Sequence, residues 1–193
     1  MPRPREFDRD DALSKAMAVF WLKGYAATST TDLLEAMQIG RQSMYDTFGD
    51  KHALYLEALR HYSQQSVAEL LRSLQGASGL DGVADMLSTF ASRPERDNAK
   101  GCMGVNAICE FGDMDAEVLA ARDASSAVLN QALEHALREA AASGQMAADT
   151  RIADAVAFIQ STLAGMKVSA KAGSDSATLH AIARFAIAAL RTR

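Results

Sequence analysis

Proline is almost missing from this chain. Its 193 residues hold three, Pro2, Pro4 and Pro94, so residues 5–93 and 95–193 run without one. Aromatic residues are few as well, at 6%. A β-sandwich or barrel wants many β-branched and aromatic residues and frequent Pro/Gly turns, so that class is excluded. Cysteine is scarce: Cys102 and Cys109 are the whole supply. Seven residues of helix span about 10 Å, beyond disulfide reach, so these are two thiols rather than a bridge. That fits a reducing cytoplasm. No apolar run approaches the length of about 18 residues needed to span a membrane. The start, MPRPREFDRDD, has no apolar stretch of the kind that directs export. His52, His61, His135 and His180 are too dispersed for a metal site. No glycine-rich phosphate loop or paired-acid motif is present, so neither a metal, a cofactor nor an enzyme is expected.

What is abundant is alanine, the strongest helix former, at 38 positions. Apolar residues at 49% and charged residues at 23% make an ordinary globular balance. An all-α fold is therefore expected. Glycines punctuate periodic apolar segments, as at helix C-termini. The spacing predicts helices over 8–23, 30–38, 41–48, 51–75, 81–91, 102–111, from Asp113 or Asp115 to 142, from Asp149 to 171, and over 175–191. Residues 92–100 read as a polar loop. This makes nine helices in two domains: 1–50, and 51–193, with helix 51–75 connecting them.

Residues 30–48 carry the most informative pattern. Two short helices flank the turn Met37-Gln38-Ile39-Gly40. Leu33, Leu34, Met37, Ile39 and Met44 are placed to lock them onto the first helix through Phe20 and Trp21. This is helix-turn-helix geometry, in which the second helix enters the DNA major groove. Its exposed face offers Arg41, Gln42, Ser43, Tyr45 and Thr47. Arginine reads guanine, glutamine reads adenine, and hydroxyls suit phosphates. The overall charge of −4 and pI of 5.6 argue against nucleic acid. Residues 1–60 hold eight Lys or Arg against nine Asp or Glu. Phosphate contact must therefore rest on a few cations, helix ends and hydroxyls. Arg3 and Arg5 form a candidate arm for the minor groove.

Phe20-Trp21-Leu22-Lys23-Gly24-Tyr25-Ala26-Ala27-Thr28-Ser29 resembles the first helix and the G-[YF]-x-x-[TS]-[ST] exit of the TetR family of bacterial transcriptional regulators. Asp32-Leu33, Met37 to Gly40, Met44-Tyr45, Phe48 and Asp50-Lys51 continue it in register over residues 8–60. The resemblance implies a DNA-binding repressor acting on double-stranded operator DNA and released by a small-molecule inducer. It implies phosphate contacts from Tyr45 and Lys51, backbone contacts near Thr28, Ser29 and Thr30, and base reading by Arg41, Gln42 and Ser43. Gln42 departs from the small residue frequent there, so the operator sequence does not follow by analogy.

Two late helices carry apolar and small-residue faces beyond what one core needs. They suit a four-helix homodimer interface, and the resemblance implies the same. The candidate interface residues are Ala153, Ala157, Gln160, Ala164, Leu179, Ile182, Ala186 and Ala189. The stretch Gly101-Cys102-Met103-Gly104-Val105-Asn106 resembles a G-C-[LM]-x-x-N segment in a subset of the family. Cys102, Asn106 and Cys109 share one helix face. Cys102 sits at a helix N-terminus, which favours thiolate. Lys100, Lys167 and Lys171 are the cations able to approach it. Cys102 is thus a candidate sensor of oxidants or electrophiles. A non-covalent inducer is the other reading. The family's cavity implies a pocket from Met86, Phe90, Met103, Phe111, Met114, Leu119, Phe158, Thr162 and Met166, with Asn106, Gln160 or Arg122 as polar anchors. The competing classes are an enzyme with Cys102 as nucleophile and a helical interaction module without DNA binding.

Overall fold

The computed structural model describes residues 7–147 and 149–192. Among these residues the chain is helical, with one isolated β-bridge between Met146 and Arg191. The helices are α1 (Arg9–Lys23), α2 (Thr30–Met37), α3 (Arg41–Phe48), α4 (Lys51–Leu74), α5 (Gly79–Ala91), α6 (Glu95–Asn98), α7 (Met103–Phe111), α8 (Ala116–Ala142), α9 (Ile152–Lys171) and α10 (Ser176–Leu190). Nine are the expected helices. The additional α6 is a four-residue turn inside the stretch expected to be a polar loop; Pro94 at its N-cap position suits a helix entry.

Side-chain capping explains half of the helix starts. The carboxylates of Asp8, Asp50, Asp115 and Asp175 accept hydrogen bonds from first-turn N–H groups of α1, α4, α8 and α10. Helix α9 departs from expectation: Arg151, not Asp149, stands at its N-cap position.

The interior divides into two apolar clusters, and α4 runs through both. The first joins Leu13, Phe20, Leu33, Met37, Met44 and Phe48 with Leu54, Tyr55 and Leu59 of α4. It also takes in Met103, Ala107, Val118 and Ala121 from α7 and the start of α8. The second joins the end of α4 with α5, α8, α9 and α10 through Leu70, Leu80, Met86, Leu133, Ile159 and Leu179. Helix α5 docks closely on the end of α4. A Cβ at Gly82 would lie 2.4 Å from the Leu74 carbonyl oxygen and 2.6 Å from that of Ala77. Gly82→Ala is therefore expected to cost about 1–3 kcal/mol through overpacking. A chain of this size loses about 2–4 °C of melting midpoint per kcal/mol, so thermal denaturation followed by circular dichroism checks it.

Candidate nucleic-acid interface and the cavities behind it

Helices α2 and α3 are held as a unit by what they bury. Leu33, Met37 and Met44 are almost fully buried against Phe20. Leu34 and Ile39 pack partly buried against the same cluster. The turn is made by Gln38, which ends α2 in the left-handed conformation at φ 57°. Ser29 and Asp32 form a reciprocal capping box on α2. The Asp32 carboxylate also accepts from Lys23 at 2.6 Å. Lys23 foremost, with the Ser29 N–H and hydroxyl, lowers the Asp32 pKa to about 2. A carboxyl depressed in the folded state adds stability above its unfolded value of 3.8, and loses it as pH falls through the folded value. Asp32→Asn is expected to flatten the acid side of the stability curve between about pH 4 and pH 2, read by urea titration at each pH.

The outer face of α3 presents Arg41, Gln42 and Tyr45 to solvent, with Ser43 and Thr47 half-buried beside them. The Gln42 amide donates to Asp46 Oδ1 at 2.7 Å, one turn along. Lys51, at the first turn of α4, holds its ammonium 4.2 Å from the centre of the Tyr25 ring. Ser29 and Thr30 sit at the start of α2 near this surface. Thr28 does not join them. It is 1% exposed and its hydroxyl donates to the Gly24 carbonyl, so it serves the α1–α2 turn. Arg3 and Arg5 lie outside the described residues.

Trp21 also departs from expectation. It turns away from α2 and α3 and packs at a tilt against Tyr62, ring centres 5.0 Å apart. Its Nε1–H donates to the Gly101 carbonyl at 3.0 Å, and the Lys100 ammonium lies 4.7 Å from its ring centre. At the other end of α7, Glu110 Oε2 accepts from the Ala26 N–H at 2.9 Å. Phe111 packs against Tyr25 and Tyr55 at 5.2 and 5.4 Å. Helix α7 is thus fastened to α1 and its exit turn at both ends. His52, on α4, meets Asp115 at 2.7 Å and extends the same junction to α8.

Cys102 stands at the N-cap of α7, 7% exposed. Burial pushes its thiol up. Lys167, the Val105 and Gly104 N–H groups and the Tyr62 hydroxyl outweigh this and leave the pKa below its ordinary value. The Tyr62 hydroxyl, buried without a hydrogen-bond partner of good geometry, faces the same sulphur. Lys100 plays no part, being turned to Asp97 and Trp21. Cys109 is exposed.

Two cavities meet at Cys102. One, of about 470 Å³, lies among α4, α7, α8 and α9, where Ser63, Ser66, Arg122, Asn130, Gln160 and Lys167 give it polar walls. Asn130 Oδ1 is buried there without a partner. The other, of about 390 Å³, lies between the end of α1, α7 and α9. Cys102, Asn106 and Cys109, placed on one face by their spacing, all line the second. The expected pocket residues do not otherwise assemble. Met86, Phe90 and Met166 are core of the second apolar cluster, and Met103 is core of the first. Phe111 belongs to the aromatic stack below α7. Phe158 and Thr162 face outward from α9 into a separate groove of about 420 Å³, with Ile182, Phe185 and Ala186. Only Arg122 and Gln160 of the proposed anchors reach the larger cavity, and Asn106 reaches the smaller. The sequence list lacked Asn130 and Ser63.

The expected dimer face divides similarly. Ala153, Ala157 and Ala189 are exposed, and Ile182 and Ala186 line the outer groove. Leu179 is fully buried in the chain's own core, and Gln160 and Ala164 line the cavity beside Cys102. Phe185, 79% exposed on α10, is the apolar side chain that the sequence reading missed. It lies out of phase with the buried stripe Leu179, Ala183 and Ala186, a signal that was legible.

Comparison with known proteins places these features. Residues 12–58 match the model for bacterial regulatory proteins of the tetR family, and residues 76–186 match the tetracyclin repressor-like C-terminal domain. The HTH-type transcriptional repressor ComR of Escherichia coli (strain K12) is 28% identical over 184 residues, 94% of this chain and 88% of its own. The uncharacterised HTH-type transcriptional regulator YezE of Bacillus subtilis (strain 168) is 31% identical over 180 residues, 91% of this chain and 92% of its own. Among solved structures, a cysteine mutant of the TetR family transcriptional regulator CifR, complexed with 26-bp double-strand operator DNA, is 36% identical. It superposes with a TM-score of 0.81 over 97% of this chain and 99% of its own.

Proposed function

This chain belongs to the TetR family of bacterial transcriptional regulators, and from that premise we propose that it is a homodimeric repressor released from its operator at Cys102. The observation that carries the reading is α3. Its inner residues Met44 and Phe48 are buried, while Arg41, Gln42 and Tyr45 are exposed on a helix fixed by α2, Gln42 with its amide on Asp46. Arg41 and Gln42 read base edges, and Tyr45 and Lys51 hold phosphates on either side. The CifR complexes with operator DNA support this assignment. Two copies joined along α9 and α10 present two such helices to a near-palindrome, with half-sites one helical turn or more apart. A gel-shift assay with the promoter beside its own gene tests the reading; no retardation at moderate salt overturns it.

Few phosphates are neutralised in this scheme. Counterion release gives about −0.9 in the slope of log K against log[salt] per phosphate contacted. Lys51 from two copies predicts about −2, and engagement of Arg3 and Arg5 would take it to about −5. Removing residues 1–5 separates the two cases, and a slope near −10 for the full chain excludes both.

Release follows from the position of Cys102. A small reactive molecule in the larger cavity meets a thiol already biased toward thiolate. Any group added to the sulphur must be accommodated at the entry of α7, beside the Gly101 carbonyl that holds Trp21. The modified protein then favours a conformation with differently spaced recognition helices, because the adduct fits the two conformations unequally.

A further inference from the structure

We propose that the smaller cavity, between the end of α1, α7 and α9, is a second binding site, and that its ligand is a small amphipathic carboxylate. The charges point to an anion. Lys167 and Lys171 stand one turn apart on α9 and both line the cavity. Like charges at this spacing destabilise a helix. Among the described residues neither has a carboxylate within 4.0 Å. The carboxylate in the cavity wall is that of Glu110, turned to the Ala26 N–H, and the Cys102 thiol beside Lys167 is the other acidic group there, removed in the variant used below. Lys23, at the rim, is neutralised by Asp32.

The lysines are also held in place. The Lys171 stem lies along Gly101, where a Cβ would come within 2.8 Å of its Cδ, and its ammonium donates to Asn106 Oδ1 at 2.8 Å. Asn106 is a neutral partner, so the positive charge stays available. The remaining wall is apolar: Leu22, Val105, Val168 and Ala172. Leu22 and Val168 are 67% and 53% exposed, an uncovered greasy lip around two cations. A carboxylate with a short hydrocarbon body satisfies both halves, its head on the ammonium pair and its chain under the lip. An inorganic anion leaves the lip bare, and a long-chain amine meets like charge.

Cys109 gives a local readout, because it is exposed and lines this cavity but not the larger one. In full-length Cys102→Ser, Cys109 is the one remaining thiol. The experiment measures its alkylation rate by iodoacetamide with octanoate, acetate or octylamine present in millimolar amounts. The expected result is at least a tenfold slowing by octanoate and none by acetate or octylamine. The double variant Lys167→Gln, Lys171→Gln, with its helicity checked by circular dichroism, should lose the protection. No slowing by octanoate, equal slowing by octylamine, or full protection in the folded double variant each overturns the proposal. None of these outcomes involves DNA, so the site stands or falls separately from the repressor reading.

Discussion

Cys102→Ser is expected to bind operator as the unaltered protein does, and to stay bound through a quinone treatment that releases the unaltered protein completely. The effect should be all-or-none because the chemistry resides in one atom. A serine hydroxyl is close to the thiol in size and suits an N-cap position such as that of α7, but is not ionised near neutral pH. The thiol is buried, which by itself opposes ionisation, yet Lys167 and the α7 N–H groups reverse the balance. Because its pKa is lowered, alkylation of Cys102 should stay fast at pH values where an ordinary thiol slows. Cys109, exposed and at the far end of the helix, is no substitute. Fluorescence anisotropy with labelled operator before and after treatment provides the measurement. Equal release of both proteins would sink the assignment and leave the larger cavity, with Asn130 as its unpartnered acceptor, as the place of a non-covalent inducer.

The second large effect is expected from Phe185→Asp. Phe185 and Phe158 project from α10 and α9 beside a groove of about 420 Å³ lined by Thr162, Thr178, Ala181, Ile182 and Ala186. On a two-fold axis every contact occurs twice. Burying a phenylalanine contributes about 1.5–3 kcal/mol, so losing it on both sides removes about 3–6 kcal/mol before the cost of burying aspartate. That weakens the dimer by a factor of at least 100 by the same reckoning. A monomer reaches only one half-site, so operator binding should vanish with the dimer. Sedimentation analysis read alongside the gel shift decides it. A variant that remains dimeric places the interface elsewhere.

The fold was largely legible because helix periodicity and caps are local signals. The helix starts expected at residues 8, 30, 51 and 175 hold in the structure to within a residue. The site was legible only in part. Periodicity tells which residues share a face, so Cys102, Asn106 and Cys109 came out together. It does not tell what that face meets. Trp21 and Phe20 are adjacent on α1, yet Phe20 goes to the α2–α3 core and Trp21 to α7. On α9 nearly every face is apolar or small, so the sequence places Gln160 on both the dimer face and the pocket and Ala164 on the dimer face alone, whereas both border the cavity. Met86, Phe90 and Met166 have the chemistry of pocket residues, but only three-dimensional packing distinguishes pocket from core. Thr28 carries a hydroxyl suited to a phosphate and uses it on its own turn.

The shared first cluster has a consequence for how the protein comes apart. Met103, Ala107, Val118 and Ala121 complete the hydrophobic floor beneath α1–α3. A fragment ending at residue 50 would leave Phe20 without Tyr55, its ring partner at 5.1 Å, and one ending after α4 would leave the floor open. The reading head is therefore expected not to fold as a detached module. Melting should be a single cooperative event, with no plateau in which the head survives alone. Loosening α7 withdraws part of the reader's own interior, so any change that displaces α7 is expected to lower the stability of the head as well.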